Sequence, residues 1–259
     1  MTVSILTDNN PGRNTPAEHG LSYLIEYDQK RLLFDTGQSN LFLKNAETMD
    51  TDMTNIDTII LSHGHFDHGD GLQYLSGGRL ICHPGCFVKR YRKSDHLYIG
   101  LKNSKEELAS KFDLILTLQP YQVTGKIVFL GEIPRITPFE SKKTSFVLDG
   151  GISDFVTDDS ALALLLTEGL FIISGCGHAG IVNTIEHAKK TTGIDRLYGI
   201  MGGFHLKSVN RQTRETVRYL MENRVKHVYP SHCTEYPALS YFYRSFNTKM
   251  VRTGDIFNF

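Results

Sequence analysis

Apolar residues recur along the chain in short runs separated by Gly, Asp and Asn. Val3–Leu6, Leu21–Tyr27, Arg31–Phe34, Thr58–Leu61 and Arg79–Cys82 read as β-strands. Asp28-Gln29-Lys30 is a turn that makes a hairpin of the second and third. Leu41–Thr48 reads as a short helix ahead of the strand at Thr58. Ser104-Lys105-Glu106-Glu107 has capping-box spacing and opens a helix that ends near Phe112. Leu114–Leu118 and Lys126–Leu130 return to strand character.

The second half alternates more regularly. Ala161–Leu166 and Leu170–Ile173 flank a Glu168-Gly169 turn. Ile181, Ile185 and Ala188 share one helical face, with Gly193 as the stop. Arg196–Met201 is a strand, Thr213, Val217, Leu220 and Met221 mark another helical face, and His227–Tyr229 is a last core strand before Pro230. Hairpins early and strand–helix alternation late predict two sheets with helices outside. No linker or fixed-period repeat interrupts the chain.

Composition narrows the class. A chain of 259 residues can bury a large core without staples. Lys+Arg and Asp+Glu are both 28, and this zero net charge argues against a nucleic-acid partner. Four cysteines, Cys82, Cys86, Cys176 and Cys233, are too sparse for a disulfide scaffold. The first residues lack a basic region and a long apolar stretch, so no signal peptide is read, and no membrane span is expected. The expectation is a cytoplasmic protein.

The chemistry concentrates in Ser62-His63-Gly64-His65-Phe66-Asp67-His68-Gly69. An apolar strand ends at Ser62, and three His and one Asp follow within six positions. Imidazole and carboxylate together suit Zn, Mn or Fe, and the interleaved glycines let a loop gather them. His178, His205, His232 and Cys176 each follow a predicted strand end, so they are candidates to join this loop. Gly177-His178-Ala179-Gly180 leads into a helix whose N-terminus could hold an anion. Lys89, Arg90, Arg92 and Lys93 form a basic run that could hold a phosphate or could be a solvated face. Two Cys and one His in Cys82-His83-Pro84-Gly85-Cys86 fall short of a four-ligand zinc site.

His63-x-His65-x-Asp67-His68 after a hydrophobic strand, with Leu33-Phe34-Asp35-Thr36-Gly37 upstream, resembles the metallo-β-lactamase superfamily. Glu18-His19-Gly20-Leu21-Ser22, Gly175-Cys176-Gly177-His178-Ala179-Gly180, Gly202-Gly203-Phe204-His205-Leu206 and Ser231-His232-Cys233-Thr234 narrow this resemblance. They are similar to the subfamily that includes the archaeal dihydropterin–ribofuranosylaminobenzene phosphate synthase. The resemblance implies an α/β fold, a four-layer αββα sandwich, as one domain over residues 1–259 with an insertion at about 97–160.

The same resemblance implies two divalent metals, Zn2+ first, with Mn2+ or Fe2+ as alternatives. His63, His65 and His178 would hold one, and Asp67, His68 and His232 the other. The chain departs from the superfamily pattern at the metal-bridging Asp, for which Cys176 stands nearest; it could bridge as a thiolate or simply pack in a tight turn. Asp67 and His205 are the candidate acid–base groups, with His205 alternatively a ligand. Asp35 would orient a metal-bound imidazole, and His19, Lys89 and Arg90 are candidates to line the substrate pocket.

The expected activity is that of a hydrolase-like enzyme acting on a small phosphorylated or pterin-like molecule. A synthase-type transferase, a phosphodiesterase or nuclease, and a metal-dependent ligand sensor are the alternatives. The expected partner is a small, phosphorylated molecule, with neither nucleic acid nor membrane; the sequence leaves oligomeric state open.

Overall fold

A computed structural model describes residues 1–259. Strands run Thr2–Thr7 (β1), Ser22–Tyr27 (β2), Lys30–Phe34 (β3), Thr58–Ile60 (β4), Arg79–Cys82 (β5), Arg90–Arg92 (β6), Asp113–Leu116 (β7), Tyr121–Thr124 (β8) and Ile127–Phe129 (β9). They continue with Phe146–Leu148 (β10), Ser153–Asp154 (β11), Ala161–Leu166 (β12), Gly169–Ser174 (β13), Leu197–Gly203 (β14), His227–Ser231 (β15) and Ile256–Asn258 (β16). Helices are Leu41–Thr48 (α1), Phe66–Gly69 (α2), Lys105–Lys111 (α3), Ile181–Thr192 (α4), Arg211–Glu222 (α5) and Tyr236–Ser245 (α6).

The chain forms two compact units. The first comprises Met1–Leu118, Ser145–Asp154 and Val251–Phe259. Its main sheet has the order β16-β1-β2-β3-β4-β5-β7, and a small sheet has the order β11-β10-β6. The β2–β3 hairpin turns on Asp28 and Gln29, both at positive φ, as a two-residue turn matched to strand twist requires. From β3 through β4 and β5 to β7 the strands are parallel, so their C-terminal ends share one edge. Leu24, Leu33, Ile59, Leu61 and Leu80 pack on one face with Phe42 and Ala46 of α1 and Leu108 of α3. The alternate residues Tyr23, Ile25, Leu32, Phe34, Ile60 and Ile81 are equally buried, so the sheet is apolar on both faces. The capping box at Ser104 and Glu107 forms as the sequence predicts.

The second unit comprises Gln119–Thr144 and Phe155–Met250. Its sheet has the order β15-β14-β13-β12-β9-β8, with β13, β14 and β15 parallel. Ile181, Ile185 and Ala188 of α4 and Val217 and Leu220 of α5 pack onto Ala161, Ala163, Ile172, Ile200 and Val228. Gly193 ends α4 in the left-handed conformation. Residues 97–160 are divided between the units, supplying β7, β10 and β11 to the first and β8 and β9 to the second.

Candidate metal centre

In the first unit the candidate ligands hang from the C-terminal edge of the parallel strands. Leaving β3, Asp35 turns at φ 58°, and its N–H donates to the Ile60 carbonyl at 2.9 Å, tying it to the end of β4. A non-glycine residue in this region is uncommon, and it persists only where its surroundings hold it. Here the hold is mutual: the Thr36 N–H donates to the His68 carbonyl at 2.7 Å and the Gly71 N–H to the Gly37 carbonyl at 3.0 Å. Gly64 lets the loop close, because a Cβ there would lie 1.9 Å from the Cys86 carbonyl oxygen. Part of the expected loop is helical, with Asp67 and His68 on the single turn of α2.

Buried Asp35 organises two of the imidazoles. Its Oδ2 accepts Nδ1–H of His68 at 2.6 Å and the Ser62 hydroxyl at 2.7 Å, while Oδ1 accepts the Ser62 N–H at 2.7 Å. With its hydrogen given to Asp35, the Ser62 hydroxyl accepts from His63 Nδ1 at 2.9 Å. Both rings therefore carry their proton on Nδ1 and keep a lone pair on Nε2, the form a metal ligand requires. His65 Nδ1 lies 2.9 Å from His63 Nε2, and His68 Nε2 lies 3.8 Å from Asp67 Oδ2. This donor set fits divalent cations, with imidazole nitrogens and a carboxylate oxygen facing one another and a carboxylate behind them. His19 lies beside the set, Nε2 3.1 Å from Asp67 Oδ2, on a segment held by Gln38 Nε2 donating to its carbonyl.

In the second unit the candidates follow three adjacent parallel strands, β13, β14 and β15. His205 and His232 both adopt left-handed backbone, at φ 47° and 50°. The His178 and His205 rings are 4.3 Å apart between centroids. Cys176, His205 and Cys233 bring one ligand atom each within 4.8 Å of the others. Cys233 was not singled out by the sequence, because a Cys beside His232 has no metal spacing of its own. Burial opposes ionisation of Cys233, yet the Cys176 and His205 contacts and the charge of His232 bring its thiol well below the ordinary value.

Asp159, another residue the sequence reading passed over, accepts the Ala179 N–H at 2.8 Å and steadies the turn that carries His178. Burial pushes its carboxyl up to about 6.

Two of the anion-binding expectations are corrected. The N-terminus of α4 is already filled by Glu140, whose carboxylate accepts the Val182 N–H at 2.9 Å and the Asn183 N–H at 2.8 Å. A Cβ on Gly180 would sit 2.5 Å from that carboxyl, so the glycine makes room for an internal anion in place of a substrate. Arg90 is 1% exposed, 3.4 Å from Asp154 and donating to the Gly85 carbonyl at 3.0 Å, so it turns inward as a structural cation. Lys89 remains exposed. None of the four cysteines is in a disulfide.

The chain belongs to the metallo-β-lactamase superfamily, whose family model matches residues 15–81. Within it the chain falls in the subfamily resembling the archaeal synthase named above. It is 32% identical to the 7,8-dihydropterin-6-methyl-4-(β-D-ribofuranosyl)-aminobenzene-5'-phosphate synthase of Methanocaldococcus jannaschii, covering 100% of this chain and 97% of that protein. It is 35% identical to the uncharacterized protein MJ0448 of the same organism, covering 92% of each. Among solved structures, Tm1679, a metal-dependent hydrolase of the β-lactamase superfamily, superposes with a TM-score of 0.88 at 29% identity, covering 100% of this chain and 99% of that one. The mixed α/β fold is thus that of the superfamily, which binds divalent metals. No helix is long and apolar enough to cross a membrane.

Proposed function

We propose that this protein is a metal-dependent enzyme acting on a small phosphorylated or pterin-like molecule. Two divalent cations would be held, one by His63, His65 and His178 and the other by Asp67, His68 and His232. The observation that carries this reading is the Asp35 carboxylate, which fixes His68 directly and His63 through Ser62 in the tautomer that ligates. A polar loop with no ligand to hold has no need of buried carboxylate support for two imidazoles. When bound there, a divalent cation would supply a lowered pKa for a water and polarisation of the bond under attack. Asp67, whose Oδ2 lies 3.1 Å from His19 Nε2 and 3.8 Å from His68 Nε2, would be the carboxylate placed to take the proton of that water. His19 is positioned to steady that proton or a polar group of the substrate.

The full-length relationship to a synthase favours a second reading of the same site, in which a dihydropterin bearing a leaving group on its 6-methyl carbon is joined to a ribofuranosylaminobenzene phosphate, the leaving group departing as an anion and the nucleophile losing a proton. The zero net charge speaks against nuclease action.

The test is anaerobic purification and elemental analysis. The joined pair and a panel of phosphomonoesters, phosphodiesters and carboxylic esters are then assayed. Two metals per chain are expected, with turnover of at least one substrate that the His63→Ala, His65→Ala double variant abolishes. Full metal loading with no turnover of any substrate, alongside tight pterin binding, would instead identify a sensor.

A further inference from the structure

The second unit gathers two thiols and an imidazole: Cys176, Cys233 and His205. Cys176 follows β13, His205 follows β14 and Cys233 follows β15, so three adjacent parallel strands deliver them to one edge. Their ligand atoms lie within 4.8 Å of one another. A tetrahedral cation with metal–sulfur distances of about 2.3 Å and metal–nitrogen distances of about 2.0 Å requires donor pairs about 3.5–3.8 Å apart. Donor atoms within 4.8 Å of one another stand near that spacing before any cation is present.

The backbone around them is built for close approach. A Cβ on Gly203 would lie 2.7 Å from Cys233 Sγ and 3.1 Å from Cys176 Cα, so only glycine lets the two thiol-bearing turns meet. Gly203 also donates its N–H to the Gly175 carbonyl at 3.0 Å, locking β14 to the Cys176 turn. The Cys233 thiol reaches the Cys176 carbonyl at 3.4 Å, and the His205 N–H donates to Cys233 Sγ at 3.3 Å, a contact that favours sulfur carrying negative charge. His205 holds a left-handed backbone at φ 47°, a strained conformation that orients its side chain within this cluster.

We propose that Cys176, Cys233 and His205 of the second unit together bind a thiophilic divalent cation such as Zn2+ or Cd2+. The two thiolates and one imidazole leave a fourth position open, as sites that exchange a ligand do. This assigns His205 as a ligand in place of an acid–base group, and it turns Cys176 toward Cys233 in place of a bridging role.

Cd2+ is the probe, titrated into reduced, metal-free full-length protein while the ultraviolet thiolate-to-metal charge-transfer band is followed. The band is expected in the wild type and in the His63→Ala, His65→Ala double variant, which separates this site from the histidine-held pair. It should fall by about half in Cys233→Ser and in Cys176→Ser, each of which removes one of two thiolates. Alkylation of both cysteines, mapped by peptide mass spectrometry, should slow by more than about tenfold when Cd2+ is present. That measurement needs no variant and so does not depend on how Cys233→Ser folds. The proposal is overturned if no band forms, if Cys233→Ser keeps the full wild-type band, or if Cd2+ leaves alkylation unchanged. It is equally overturned if the band disappears in the His63→Ala, His65→Ala variant, which would place the sulfur ligand in the histidine-held pair.

Discussion

His68 Nδ1 lies 2.6 Å from Asp35 Oδ2, with both side chains fully buried. The carboxylate also holds Ser62 by backbone and hydroxyl, and through that hydroxyl it reaches His63. One residue at the end of β3 thereby sets two rings that follow β4. Asp35→Asn keeps the shape and removes the charge, and it puts an amide donor opposite either His68 Nδ1 or Ser62. Metal affinity is expected to fall about 10- to 100-fold, the usual cost of losing the group behind a ligating imidazole. Ser62→Ala, which cuts the link from Asp35 to His63 but leaves the Asp35–His68 contact, should fall at the low end of that range, about tenfold. Competitive titration with a chromophoric chelator measures both. Unchanged affinity in Asp35→Asn would show that the network is packing alone.

Glycines at two positions separate close approach from backbone conformation. At Gly64 a Cβ would strike the Cys86 carbonyl oxygen at 1.9 Å, and backbone cannot move aside as a side chain can. Gly64→Ala is expected to destabilise by about 3 kcal/mol and to displace His63 and His65 from their facing geometry. At Gly193 a Cβ meets nothing within 4 Å, but φ is 71°. Gly193→Ala should therefore cost only about 1–2 kcal/mol, from the left-handed conformation itself. Urea unfolding of both variants checks the order, and equal costs would contradict it.

Glu140 closes the start of α4 from inside. Its carboxylate satisfies the Val182 and Asn183 N–H groups and the Thr137 hydroxyl. Glu140→Ala leaves those buried donors without their acceptor and is expected to cost about 1–3 kcal/mol or more. Loss of the helix start would also loosen the turn carrying Cys176 and His178, so hydrogen exchange at Ala179 to Thr184 should rise with it.

The same residue predicts a pH dependence. Burial pushes the Glu140 carboxyl above its ordinary value of 4.5, outweighing the Val182, Asn183 and Thr137 contacts that pull it down. An acid whose pKa is higher in the folded state binds its proton more tightly there. Its contribution is fully present below the unfolded value and is lost as pH rises through the folded one. Glu140→Gln cannot titrate, so the stability of the wild type relative to this variant should decline as pH is raised from about 4 to about 7. Urea midpoints measured at several pH values in that window decide it, and parallel curves for the two proteins would refute the shift.

Much of the first unit was legible in the sequence because its signals are local. The β2–β3 hairpin, α1 and the capped start of α3 each depend on residues within a few positions of one another. The His63–His68 loop was legible for the same reason, since ligand density and glycine spacing lie within one short segment. β6 and β10 escaped notice because a three-residue strand carries almost no pattern, and they pair with each other across more than fifty residues of chain. α6 was hidden by Pro237, which reads as a breaker but stands in the first helical turn, where no N–H is needed.

The sequence by itself determined where metal-binding chemistry is concentrated and which strand ends most of it follows, because side-chain chemistry and strand periodicity are written in order along the chain. Only the tertiary structure decided what those residues face. It buried Arg90 against Asp154, placed Glu140 at the helix start that a substrate anion had been expected to occupy, and set Cys233 beside Cys176 and His205. Each of these pairs residues from separate strands or loops, and such pairings follow from sheet order and packing, which no single segment encodes.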